Sequence, residues 1–187
     1  MQLDQPTTGI LLKIWLKVAL PAVTSNVTGF LCLLINSAFA GQLNDPSKLA
    51  AVGVGNVCCF IFVISIMTGL NSAQETLTSQ AFGSGNEKIC GVYLNRGRLI
   101  LIAFFIPLAL LPGIFAERIL LALGQDAMVS HLAHGYIQLF LPGLFFYGQF
   151  DLLKRFLAAM RITFVPMIAQ LVATMLHVPL CFLFVFK

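Results

Sequence analysis

The spacing of charged residues constrains this chain more than any other feature of its sequence. Only 10% of the 187 residues are charged, whereas soluble domains carry about 25%. The charges leave five long uncharged stretches, at residues 18–44, 49–74, 99–116, 127–150 and 162–186. Each is close to the roughly 20 residues that an α-helix needs to cross a bilayer. Lipid offers the backbone no hydrogen-bond partner, so such stretches must be helical.

The sequence therefore predicts an all-α fold, a polytopic membrane helix bundle with about five transmembrane helices. The predicted helices cover about residues 12–40, 49–82, 99–116, 130–150 and 163–186. A short basic amphipathic piece at 87–98 leads into the third, and the inner loop at 151–161, with three basic residues, is compatible with a helix. No Gly/Ser-rich or Pro-rich linker interrupts the chain, which predicts a single membrane domain over residues 1–187.

Basic residues are distributed unequally between the two sides of this predicted bundle. If the N-terminus is cytoplasmic, eight basic residues lie inside and three outside; the inner ones are Lys13, Lys17, Lys88, Arg96, Arg98, Lys154, Arg155 and Arg161, and the outer ones Lys48, Arg118 and Lys187. The positive-inside rule then predicts a multi-pass membrane protein with a cytoplasmic N-terminus. This separation leaves no single basic patch, so the net charge of +4 does not indicate a nucleic-acid partner.

Two titratable residues stand out as candidates for a substrate or ion pathway. Glu75 is the acidic residue nearest to an apolar stretch, and acids placed within membranes tend to be functional. Its neighbours are polar, so hydrogen bonding at a helix end is the alternative. His177 lies in the middle of the fifth predicted helix, two residues before Pro179, where an imidazole can carry protons. A histidine that only bridges two helices is the alternative there.

Three asparagines and one tyrosine complete the set of candidates. Asn36, Asn56 and Asn71 lie in apolar stretches, where amides link helices or line aqueous cavities. Tyr147 belongs to an aromatic group that could form the wall of a pocket for flat organic molecules. His131 and His134 have no visible carboxylate partner in the sequence, so we predict no metal site there. No catalytic set or nucleotide-binding motif occurs, which predicts a protein that is not an enzyme and needs no cofactor.

Several segments resemble the multidrug and toxic compound extrusion (MATE) transporters. The segment SAQETLTSQAFGSGN at 72–86, followed by GVYLNRG at 91–97, is similar to that family's signature after its second helix. Shorter segments resemble family pieces in the same order along the chain: FAGQL at 39–43, LALGQD at 121–126, LPGL at 141–144, RFL at 155–157 and HVPLC at 177–181. The last resembles eukaryotic members in particular.

The resemblance implies a twelve-helix antiporter of two six-helix lobes. Such a transporter exports small organic solutes, including cationic ones, in exchange for protons or sodium across a plasma or vacuolar membrane. The chain would supply helices 1 to 5 of the first lobe, without helix 6 and the second lobe, and is expected to be a fragment, a truncated gene product or an incomplete gene model. Many bacterial members have an aspartate where Asn36 lies, which leaves His177 as the titratable residue there, and Glu75 matches an acidic position at the inner gate.

Two other hypotheses follow from the same residues. A membrane fragment of this length could serve only as an interaction or regulatory partner, without transport. A lipid-linked sugar flippase, which is a distant relative by fold, would carry more basic residues inside the spans than this sequence does. A longer coding sequence with seven further hydrophobic spans would favour the antiporter.

Overall fold

The computed structural model describes residues 8–186, and these form helices joined by short turns. The helices are α1 (Thr8–Gly41), α2 (Pro46–Cys59), a π-helical segment (Phe60–Ile64), α3 (Ser65–Gly83), α4 (Glu87–Ala122), α5 (Ala127–Ala159) and α6 (Phe164–Phe186). The all-α prediction is confirmed. The first seven residues and Lys187, which the predicted topology places inside and outside respectively, lie outside the described residues.

The second predicted helix is one continuous rod in which α2, the π-helical segment and α3 follow each other without a break, from Pro46 to Gly83. Its start is fixed by Asp45, whose Oδ1 accepts hydrogen bonds from the backbone N–H groups of Ser47 (3.0 Å) and Lys48 (3.4 Å). Pro46 occupies the first helical position, where its missing N–H costs nothing.

Helices α4 and α5 are longer than predicted. The amphipathic piece at 87–98 and the predicted helix at 99–116 are one helix of 36 residues, and the predicted inner loop at 151–161 is helical as far as Ala159. The helical alternative for 151–161 is therefore the one that the structure adopts. The third helix was predicted to end too early, at residue 116, because charged residues follow there, whereas a helix can continue beyond the membrane. Pro107 and Pro112 lie inside α4, as membrane helices tolerate.

Four of the five rods are long and apolar enough to cross a membrane: 11–41, 46–83, 87–122 and 164–185. Helix α5 has 33 residues, sufficient in length, but it carries more polar residues and is not among the four. It also packs against α2, α3 and α4, so many of its side chains face protein rather than lipid. Elsewhere large apolar side chains such as Phe30, Leu99 and Phe184 are exposed, as expected for surfaces in contact with lipid.

The rods form two groups. Helices α2 to α5 pack together around a core that includes Val63, Leu101, Ile137 and Leu152. Helices α1 and α6 pair with each other, and α1 meets the larger group mainly along α2. A polar cavity lies where the two groups meet.

Close contact between α2 and α5 depends on Gly55. A Cβ atom at this position would lie 2.7 Å from Cδ1 of Tyr136. The Tyr136 ring is held in place, because its hydroxyl donates a hydrogen bond to Asn56 Oδ1 at 2.8 Å and the ring stacks on Phe140. A small residue therefore allows the two helices to approach, as in other membrane helix pairs.

Candidate functional site

The most densely connected polar group in the structure surrounds Asp151, which is only 4% exposed. Its Oδ2 accepts hydrogen bonds from Asn71 Nδ2 at 3.0 Å and from Arg155 Nε at 2.8 Å. Its Oδ1 lies 3.4 Å from the Lys154 ammonium. The two cations sit three and four residues after Asp151 on α5, a spacing that places them on the same helix face. A buried carboxylate is thus supplied with the partners that its charge requires.

Arg155 adds a second connection between this group and α3. Its Nη1 donates to Glu75 Oε2 at 3.0 Å and to Ser72 Oγ at 3.1 Å. Glu75, a predicted site residue, is therefore an ion-pair partner that connects α3 with α5 at the predicted cytoplasmic end. We call Asn71, Glu75, Asp151, Lys154 and Arg155 the inner network. A role for Glu75 in transport stays a prediction.

Sequence reasoning did not select Asp151, Lys154 or Arg155 as site residues. Their i, i+3, i+4 spacing at the end of an uncharged stretch was a usable signal, but the partners Asn71 and Glu75 are about 80 residues away in the chain. Only the packing of α3 against α5 brings them together.

A second polar group joins α1 to α6 and contains two predicted site residues. His177 Nε2 lies 2.9 Å from Asn36 Oδ1, and the imidazole N–H is the donor because an amide oxygen only accepts. Cys181 Sγ lies 3.3 Å from the same nitrogen and 3.5 Å from the same oxygen. The prediction that asparagines link helices is confirmed for all three, since Asn56 contacts Tyr136 on α5 and Asn71 contacts Asp151.

Tyr147 is separate from the other predicted site residues. It lies on α5 one turn before Asp151, and its side chain is exposed. Among residues 8–186, Tyr147 makes no hydrogen bond to Asn36, Glu75 or His177. The structure therefore joins Asn36 with His177 and places Glu75 in a different group, near the other end of the bundle.

His131 and His134 share a carboxylate partner, Glu117, which contradicts the expectation from the sequence. Their Nδ1 atoms each lie 3.4 Å from an oxygen of Glu117 on α4. His134 Nε2 also lies 2.8 Å from the carbonyl oxygen of Gly113. This pairing could not be predicted from the sequence because Glu117 belongs to another helix. In the part of the chain that the structure describes, no set of three His, Cys, Asp or Glu residues has the arrangement of a metal site.

Comparison with known proteins gives a consistent result along nearly the whole chain. The family model described as MatE matches residues 21–183. Protein DETOXIFICATION 29 of Arabidopsis thaliana is 36% identical over 175 residues, which cover 94% of this chain and 34% of that protein. Multidrug and toxin extrusion protein 2 of Pongo abelii is 34% identical over 165 residues, covering 86% of this chain and 28% of the relative.

A solved structure agrees with these sequence matches. The crystal structure of the eukaryotic MATE transporter AtDTX14 superposes with a TM-score of 0.89 at 29% identity. The superposition covers 94% of this chain and 39% of that one. The chain thus spans about a third of the length of the curated relatives that it matches.

Proposed function

The chain belongs to the MatE family, the multidrug and toxin extrusion transporters, and on this basis we propose that it is the N-terminal part of a secondary antiporter. The antiporter exports small organic solutes, cationic ones among them, in exchange for protons or sodium. Within this proposal the chain supplies helices 1 to 5 of the first lobe, and a sixth helix and a second lobe complete the transporter. The inner network is the observation that carries the proposal.

The inner network supports transport because it places four charged side chains beside an apolar bundle. Charges are costly in such surroundings, and membrane proteins keep them mainly on substrate and ion pathways. The network also connects α3 with α5 through one guanidinium. An ion pair of this kind can form and dissociate reversibly, which suits Glu75 for a role at the inner gate.

The pair of His177 and Asn36 is our candidate for the ion pathway in this lobe. Asparagine cannot titrate, whereas an imidazole changes charge near neutral pH. His177 also lies two residues before Pro179, whose ring frees the carbonyl of Met175 from the helix ladder and lets α6 bend. Tyr147, exposed on α5, is our candidate for contact with the organic solute. Coupling by acids of the second lobe, with His177 only bridging α1 and α6, is the competing mechanism.

We further propose a plasma or vacuolar membrane as the location, with the N-terminus in the cytoplasm. The support is the excess of basic residues at one end of the bundle. Lys154 and Arg155, which are the two basic residues of the inner network, lie at that end. Lipid is then the partner of the exposed apolar side chains on the outer helix faces.

Efflux from proteoliposomes tests this proposal. A longer protein, in which residues 1–187 are followed by the proposed sixth helix and second lobe, is reconstituted into proteoliposomes. These are loaded with a fluorescent organic cation, and either a proton or a sodium gradient is imposed. We expect efflux that depends on one of the two gradients. Residues 1–187 alone should show none, because a single incomplete lobe cannot enclose a solute. Efflux by residues 1–187 alone, or efflux by the longer protein that ignores both gradients, contradicts the proposal.

A further inference from the structure

A polar cavity of about 170 Å³ lies where the α1–α6 pair meets α3 and α5. Its lining residues come from four helices and from the turn before α6: Ala22, Ser25, Asn26, Glu75, Lys154, Arg155, Ala158, Thr163 and Pro166. At about 30 Å³ of liquid volume per water molecule, the space corresponds to about six waters. A small group of about five non-hydrogen atoms therefore fits in it.

Donors outnumber acceptors among the polar atoms that still lack a partner in this lining. Ser25 is 3% exposed, and its Oγ has no hydrogen-bond partner among the described residues. Arg155 uses Nε and Nη1 but not Nη2 toward the described residues, and Lys154 uses two of its three N–H groups. Asn26 accepts from Lys154 through Oδ1, which leaves its amide N–H groups as donors. Of these residues Ser25 is the buried one, and a buried polar atom without a partner is rare in folded proteins.

The charge of the lining points in the same direction. Lys154 and Arg155 are two cations, and Glu75 is the single carboxylate in the lining. Asp151 balances much of the basic charge, but its carboxylate is already engaged by Asn71, Arg155 and Lys154. It is absent from the lining. The polar atoms that remain available therefore favour a negative ligand.

The first turn of α6 adds a further positive contribution. Thr163 immediately precedes this helix and Pro166 lies in its first turn, and both line the cavity. Pro166 has no N–H group, and Phe164 and Val165 do not line the cavity, so the start of α6 contributes the positive end of the helix dipole and no backbone donor.

We propose that this cavity binds a phosphate group, held by Ser25, Asn26, Lys154 and Arg155. A phosphate has five non-hydrogen atoms and accepts several hydrogen bonds, so it fits in the cavity and can accept from the unpaired donors. Its source is either free phosphate or the headgroup of a phospholipid at the predicted cytoplasmic surface. The site does not require that the chain transport anything, so it can be tested on residues 1–187.

Binding is measured on the 187-residue chain in maltoside micelles, which contain no phosphate. One arm titrates inorganic phosphate by calorimetry. The other adds phosphatidic acid and counts bound molecules by native mass spectrometry, with diacylglycerol of the same acyl chains as the control that lacks only the phosphate. We expect binding in at least one arm, and none of diacylglycerol. Saturation by inorganic phosphate identifies a free anion, and binding of phosphatidic acid alone identifies a headgroup.

Three variants and one control locate the site. Lys154→Gln removes a charged donor and should weaken binding at least about tenfold, while Ser25→Ala removes a neutral one and should weaken it about threefold to tenfold. Glu75→Gln removes the opposing charge and should strengthen binding. Lys88→Gln removes the same charge from an exposed residue that is absent from the cavity lining, so its binding should equal that of the unchanged chain.

The outcomes that overturn the site are distinct from a failure to fold, which circular dichroism of each variant detects. Absence of binding in both arms overturns it, as does equal weakening by Lys154→Gln and Lys88→Gln. Weaker binding in Glu75→Gln also overturns it, because removal of an opposing charge should strengthen the binding of an anion. Ser25→Ala is the mildest of the changes and keeps the test decisive if Lys154→Gln does not fold.

Discussion

Arg155 on α5 forms an ion pair with Glu75 on α3, with 3.0 Å between Nη1 and Oε2, while its Nε holds Asp151 at 2.8 Å. One guanidinium thus has two carboxylate partners of very different burial. Asp151 is 4% exposed, whereas the Glu75 side chain is 37% exposed. This difference determines how much each carboxylate contributes to stability.

Removal of the buried carboxylate should be the more damaging change. Asp151→Ala leaves Arg155 and Lys154 without their shared partner, and breaking a buried pair costs about 3 kcal/mol. Glu75→Gln should lower the free energy of unfolding by less than about 1 kcal/mol, because water screens the exposed pair. Unfolding by sodium dodecyl sulfate in mixed micelles, followed by circular dichroism, measures both. Equal effects of the two variants contradict this prediction.

Gly55 should not tolerate a methyl group. Gly55→Ala places a Cβ 2.7 Å from the Tyr136 ring, which cannot move without loss of its hydrogen bond to Asn56. We expect a loss of about 1–3 kcal/mol, as for other overpacked cores. Gly53→Ala is the matched control on the same helix, since a Cβ there meets no atom within 4 Å. The control should be neutral or stabilising, by up to about 1 kcal/mol from helix propensity.

The predicted orientation can be tested by labelling exposed positions at opposite ends of the bundle. In a background without the five native cysteines, Lys88→Cys should react with a membrane-impermeant maleimide only after the membrane is opened. When the protein is in the plasma membrane, Lys48→Cys should react in intact cells. Both lysines are exposed, so burial cannot explain a failure to react. The reverse pattern would place the N-terminus outside and contradict the positive-inside assignment.

His177→Gln separates proton coupling from structural bridging. Glutamine keeps a donor for Asn36, which lies 2.9 Å from the imidazole, but it does not titrate. If His177 carries protons, efflux by the longer protein should lose part of its pH dependence. The measurement is the pH profile of efflux from proteoliposomes at matched expression. An unchanged profile assigns coupling to the second lobe.

Much of the architecture was predictable from the sequence, because a bilayer admits few solutions. The uncharged stretches predicted five helical rods, and residues 8–186 form five. Asp45 and Asn86 cap the rods that follow them, because their short side chains accept from backbone N–H groups of the first turn. Helix ends were less accurate, since charge marks where the apolar region ends and not where the helix ends.

The candidate site was predictable only in part. Asn36, Glu75 and His177 stood out because a polar group in an apolar stretch is costly, and such a group can be recognised in the sequence. Its hydrogen-bond partner depends on which helices pack together. That packing is decided by the fit of side chains such as Tyr136 over Gly55. Asn36 meets His177 across 141 residues, and Asn71 meets Asp151 across 80. The sequence by itself determined that these helices form and that their polar groups need partners, because lipid supplies none. The tertiary structure alone decided the pairings and the cavity between them, because both depend on three-dimensional packing.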